Sequence, residues 1–124
     1  MAWTLYEGDC LEIMRQMERE SVDAVITDPP YSSGGMFRGD KAKPPEKKYV
    51  NPVEVVNFHP TFTGDTMDQR AFFAWSVHWW TLARRLLKPG GFAAVFTDWR
   101  QLPITSDAFQ AGGLIWRGIV VWDK

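Results

Sequence analysis

The chain has 124 residues, room for one small domain with a single hydrophobic core. With 45% apolar and 15% aromatic residues, including seven tryptophans, it is too apolar for a disordered segment. Fourteen Lys and Arg against fifteen Asp and Glu leave a formal net charge of −1, which excludes a polybasic nucleic-acid binder and confines any such role to a local patch. Cys10 is the single cysteine, so there is no internal disulfide and no Cys-rich zinc site, which suits a reducing compartment. No apolar run reaches bilayer-spanning length and the first residues lack the basic start of a signal peptide. A soluble, cytoplasmic domain, or a piece of one, is expected.

Trp3 to Tyr6 reads as a short aromatic strand closed by Glu7-Gly8-Asp9. Asp9 suits the N-cap of a helix over 10–20, with Leu11, Met14 and Met17 at helical spacing. Ala24-Val25-Ile26-Thr27 is a β-branched run without alternation, the pattern of a parallel strand covered on both faces. It stops at Asp28-Pro29-Pro30-Tyr31, where two prolines can continue neither a ladder nor a helix. Residues 32–65 combine Gly, Pro and charge, and a loop of that length in so small a domain reads as a mobile active-site loop. Within it Arg38, Lys41, Lys43, Lys47 and Lys48 oppose only Asp40 and Glu46. This cluster is either a solvated loop or a set of phosphate contacts.

A long helix follows from Asp65 or Thr66 to about Leu87, with Phe72, Trp75, Trp79, Leu82 and Leu86 as its buried stripe. Lys88-Pro89-Gly90-Gly91 supplies stop signals, Phe92 to Thr97 is a second buried-type strand, and Asp98 closes it, either as a helix-proximal cap, the favoured reading, or as a residue lining the pocket. Pro103 suits the first turn of a short helix ending at Gly112-Gly113, and Leu114 to Trp122 reads as a third strand. The rhythm is α/β with a mainly parallel sheet. His59 and His78 stand apart and suggest no metal, and Cys10 is expected to be a small buried filler.

Asp-Pro-Pro-Tyr falls at the carboxyl end of a predicted strand, where open α/β sheets place ligands. It suits alkylation of a planar exocyclic amine, whose lone pair is delocalised into the ring. A carboxylate and a backbone carbonyl can accept from both N–H groups, draw the nitrogen towards tetrahedral geometry and free the lone pair for attack on a methyl sulfonium. The prolines fix the turn, and Tyr31 offers a face on which an extruded base can stack.

Asp28-Pro29-Pro30-Tyr31, with Gly8-Asp9-Cys10-Leu11 before it, the lead-in at 21–27, Arg85 to Gly91 and the closing Trp122-Asp123-Lys124, resembles the permuted class of DNA amino-methyltransferases. These are adenine-N6 and cytosine-N4 enzymes of restriction–modification systems and phages. The resemblance implies a Rossmann-like, three-layer α/β methyltransferase fold with a mainly parallel sheet, S-adenosylmethionine as methyl donor, and double-stranded DNA with a flipped base as substrate. No metal is implied. By that similarity Asp28 and the Pro29 carbonyl hold the amine, Pro30 stiffens the turn and Tyr31 stacks on the base. Asp9, with the Cys10 backbone N–H beside it, takes the adenine amino group of the cofactor, and Asp28 adjoins the same site. Asp in first position favours adenine N6, since Ser more often stands first in cytosine-N4 enzymes; an RNA or protein-glutamine amine methyltransferase with a related tetrapeptide is a third, weaker reading, since Asn usually stands first there.

The family's Phe-x-Gly-x-Gly cofactor loop, which follows the tetrapeptide, does not occur in the sequence, nor does a target-recognition region. The implied fold is therefore incomplete, and the strand ending at Asp28 is left with an unpaired apolar edge. The expectation is that residues 1–124 form the N-terminal catalytic part of a longer enzyme, or that a second chain or another copy completes the sheet. The other reading is a non-catalytic fragment or split-enzyme half that needs a partner chain.

Overall fold

The computed structural model describes residues 2–32 and 66–123. Residues 33–65, nearly all of the expected mobile loop and with it the basic cluster at Arg38, Lys41, Lys43, Lys47 and Lys48, lie outside the described residues. Among the described residues there are three helices and two strands, in the order α1 (Cys10–Gln16), β1 (Val22–Thr27), α2 (Gln69–Leu86), β2 (Leu87–Val95) and α3 (Leu102–Ala111).

Asp9 opens α1 as its N-cap, with a carboxylate oxygen accepting from the Leu11 N–H at 2.7 Å. The helix stops at Gln16, short of the expected Glu20. There the Arg85 guanidinium donates to the carbonyls of Met14 at 2.5 Å and Met17 at 2.8 Å, filling acceptors that another turn of helix would have used. The Glu20 N–H in turn donates to the Arg85 carbonyl at 3.1 Å, so α1 is tied to the end of α2 from both sides.

Helix α2 carries the core. Phe72, Trp79, Trp80, Ala83 and Leu86 are buried along it, while Trp75 and Leu82 of the expected stripe are half-buried. An aromatic row runs through Phe72, Trp75, Trp79 and Trp80 to Phe109 of α3, with successive ring centroids 4.0–6.1 Å apart. Small residues let α3 approach: a Cβ on Gly112 would lie 2.6 Å from the Trp80 Cβ. Leu11 and Met14 of α1 and Val25, Ala93 and Val95 of the sheet complete the cluster.

The two strands pair in parallel, with Ala24, Val25, Ile26 and Thr27 opposite Phe92, Ala93, Ala94 and Val95. Lys88 to Gly91, expected as a stop between helix and strand, instead lies within β2 as a bulge between the Val22–Leu87 and Ala24–Phe92 pairs. Gly90 takes φ +82, and a Cβ on Gly91 would come within 3.0 Å of the Asp23 carbonyl. Only glycines allow the bulge to run this close to β1.

Three sequence expectations are corrected among the described residues. The segment Trp3 to Tyr6 and the segment Leu114 to Trp122 form no strand. Each is apolar enough for one but has no neighbour to complete its backbone hydrogen bonds, and their side chains stand open, Trp3 at 84% and Val120 at 95% exposure. The sheet is covered on one face, not both. Val25, Ala93 and Val95 turn towards the helices, whereas Ile26 and Phe92 on the other face are 70% and 61% exposed. The described architecture is thus a β-α-β unit with helices on one side, and the expected three-layer arrangement is not seen among the described residues.

Candidate active site

Both strands end on the same side of the sheet, and the Phe96 N–H donates to the Thr27 carbonyl at 3.0 Å, carrying the ladder one step past β2. Asp28 is the next residue of the first strand's exit. Its carboxylate is exposed, Pro29, Pro30 and Tyr31 are half-buried, and the Tyr31 hydroxyl donates to it. The elbow therefore has a packed base and an open acidic tip.

Ser32 anchors the far side of the elbow. It is fully buried, sits at φ +56, and its hydroxyl donates to the Met67 carbonyl at 2.6 Å. Gln101, buried just before α3, reaches the Ser32 carbonyl through Nε2 at 3.4 Å. Asp98 accepts from the Gln101 N–H at 2.9 Å and so closes the turn leading into α3, rather than capping the helix, whose N-cap Gln101 has no side-chain cap bond. The sequence places Ser32 at the start of a mobile loop, which its burial corrects, and assigns Gln101 no role. A serine after a Pro-Pro turn and a glutamine at a helix start are ordinary surface residues, and only the tertiary approach of the two strand exits buries them.

Asp9 and Cys10 stand on a different element, at the start of α1. Asp9 is exposed and one carboxylate oxygen is engaged by the Leu11 N–H. This leaves the second oxygen and the first-turn backbone N–H groups as a small polar cradle suited to an adenine amino group and ring nitrogen. The donor set fits the nucleoside end of the cofactor implied by the sequence. Cys10 is exposed, contrary to the expectation of a buried filler, because α1 turns Leu11 and Met14 to the core instead. Partial shielding of its sulfur from water and, secondarily, the neighbouring Asp9 carboxylate raise the thiol above its ordinary pKa. Such a thiol is protonated at neutral pH and poorly suited to act as a nucleophile.

Among the described residues no three His, Cys, Asp or Glu side chains converge as metal ligands, and no helix is long and apolar enough to cross a membrane. His78 instead meets Arg15 at 3.1 Å.

The described helices and two-stranded parallel sheet have the make-up of an incomplete α/β methyltransferase, and the class is fixed by the family match. Residues 22–124 match the family model for DNA methylases of the N6/N4 type, and the chain belongs to that family. The type II methyltransferase M.BamHI of Bacillus amyloliquefaciens is 30% identical over 92 residues, which make up 74% of this chain. The chain spans 16% of that relative's length.

Proposed function

We propose that this chain supplies the amine-binding elbow of an S-adenosylmethionine-dependent DNA methyltransferase acting on an exocyclic base amine, adenine N6 in the first instance. The observation that carries the reading is the exposed Asp28 carboxylate at the carboxyl end of β1, on a turn rigidified by Pro29 and Pro30 and flanked by the Tyr31 ring. Asp28 and the Pro29 carbonyl accept the two amine N–H groups, which localises the lone pair on nitrogen. The base reaches them by leaving the stack, with Tyr31 beneath it. When bound, the cofactor offers a methyl group on a positively charged sulfur. Asp28 and the Pro29 carbonyl would hold the nitrogen towards that methyl group, and the proton that nitrogen sheds on transfer would pass to solvent. Asp9 and the Cys10 N–H hold the adenine ring of the cofactor. The basic residues at 38–48 contact phosphate.

Residues 1–124 act here as the N-terminal part of a catalytic domain whose cofactor loop and target-recognition region come from elsewhere, within a restriction–modification type of system. A second reading, a split-enzyme half that is inert without a partner chain, draws on the open apolar face around Ile26 and Phe92.

The test is Asp28→Ala in the whole protein. Methyl transfer to duplex DNA is abolished while S-adenosylmethionine binding by calorimetry stays within about threefold, because the substitution removes a contact to the base rather than to the cofactor. Full activity of Asp28→Ala defeats the assignment. Nucleoside analysis of the methylated DNA separates N6-methyladenine, as expected, from N4-methylcytosine.

A further inference from the structure

Two unfavourable local features face each other where the strand exits meet. Ser32 holds a left-handed backbone, φ +56, that L-residues other than Asn and Asp seldom adopt. Gln101, 1% exposed, buries a side-chain amide whose Oε1 has no partner among the described residues. Its only side-chain hydrogen bond there is the long one from Nε2 to the Ser32 carbonyl, at 3.4 Å. An unmet buried acceptor costs stability, a weak hydrogen bond returns little of it, and the strained serine adds to the cost. An apolar residue in place of Gln101 would serve the core better. What the glutamine does provide is a link from the exit of β2 to the exit of β1. Asp98 fixes its backbone at 2.9 Å, and its amide fixes the carbonyl that follows Tyr31.

We infer that Gln101 is a positioning residue: it holds the Ser32 carbonyl and thereby the orientation of the Asp28–Tyr31 elbow towards the target base. This rests on the function proposed above for that elbow. Gln101 touches neither substrate nor cofactor in this role. It acts through Ser32, which Met67 holds from the other side by accepting its hydroxyl at 2.6 Å.

The test is Gln101→Met in the whole protein, with Gln101→Leu as a second variant in case methionine packs badly. Both remove the Nε2 donor together with the unmet acceptor, so the melting temperature is expected to hold or rise. The turnover number kcat is expected to fall about tenfold or more, the scale on which small misplacements of reacting groups act, with KM for DNA and cofactor within about twofold. Amide hydrogen exchange at Tyr31 and Ser32 is expected to quicken while residues 22–27 keep their parental protection. A parental kcat overturns the inference, and so does a fall in kcat matched by a loss of melting temperature across the domain. If the parent transfers no methyl group to DNA, the proposed function fails. The exchange measurement still judges the positioning role, which unchanged rates at Tyr31 and Ser32 overturn.

Discussion

The Tyr31 hydroxyl donates a hydrogen bond to the Asp28 carboxylate. Asp28 is the group proposed to hold the target amine, and in that role the phenol and an incoming base would compete for the same acceptor. Base entry then exchanges an O–H donor for an N–H donor, at little net cost in hydrogen bonding. The ring and the hydroxyl of Tyr31 thus have separable roles. Tyr31→Phe keeps the stacking face and is expected to retain kcat/KM for DNA within about threefold, since only the competing donor is lost. Tyr31→Ala loses the stack, about 1–3 kcal/mol, and falls by roughly ten- to a hundredfold. Methyl incorporation into a duplex by the two variants decides: a phenylalanine variant as impaired as the alanine variant removes the stacking role.

Asp9 presents a similar division of labour within one side chain. Its cap to the Leu11 N–H is a structural contribution, and its remaining oxygen is the one proposed to meet the cofactor. Asp9→Ala is expected to lose about 1 kcal/mol of stability along with cofactor affinity. Asp9→Ser restores the cap but not the second carboxylate oxygen. Its melting temperature should return to near the parental value while S-adenosylmethionine affinity, read by calorimetry, stays weakened. Parental affinity in Asp9→Ser would leave Asp9 as a cap alone.

The neighbouring Cys10 supplies a pH signature. Shielding of its thiol, with the Asp9 charge second, disfavours the thiolate in the folded chain. The stabilising contribution is complete below the ordinary thiol range, because both folded and unfolded chains are then protonated at sulfur. It is lost as pH rises through the raised folded value, where the unfolded chain has already gained by ionising. Alkylation by iodoacetamide should accordingly be slower than for an unfolded cysteine near pH 8, and Asp9→Asn should speed it modestly by removing the lesser cause. A folded protein that alkylates as fast as a free thiol contradicts this.

The elements that could be read from the sequence were those whose signals are local. Asp9 as a cap, Phe72, Trp79 and Leu86 on the buried face of α2, the prolines ending β1 and Pro103 in the first turn of α3 each follow from a residue's own backbone chemistry or from helical period. What escaped depends on partners distant in sequence. Arg85 halts α1 from 68 residues away through the Met17 carbonyl, and Gln101 reaches Ser32 across 69. The Lys88–Gly91 stretch carries every sign of a turn, yet the approach of Asp23 draws it into β2. Trp3 to Tyr6 and Leu114 to Trp122 have the residues of strands, but composition cannot supply the neighbour a strand requires. The turn at Asp28–Tyr31 was legible because two consecutive prolines stop β1 at Thr27. The brace behind it was not.

The open face of the sheet gives the sharpest stability test. Ile26 and Phe92 lie on it diagonally, Phe92 opposite Ala24 and Ile26 opposite Ala94, and their exposures of 70% and 61% are those of surface residues. Were the unit used as it stands, truncating them would change stability by no more than about 0.5 kcal/mol. If further strands and helices of a longer protein, or a second chain, cover that face, both side chains lie in a core. Ile26→Ala is then expected to cost about 2–5 kcal/mol and Phe92→Ala about 3–5. Val25→Ala, on the face already packed against the helices, serves as the internal standard. Urea denaturation of the whole protein measures all three, and near-neutral values for Ile26 and Phe92 beside a large loss for Val25 would mean that the sheet functions with one face bare.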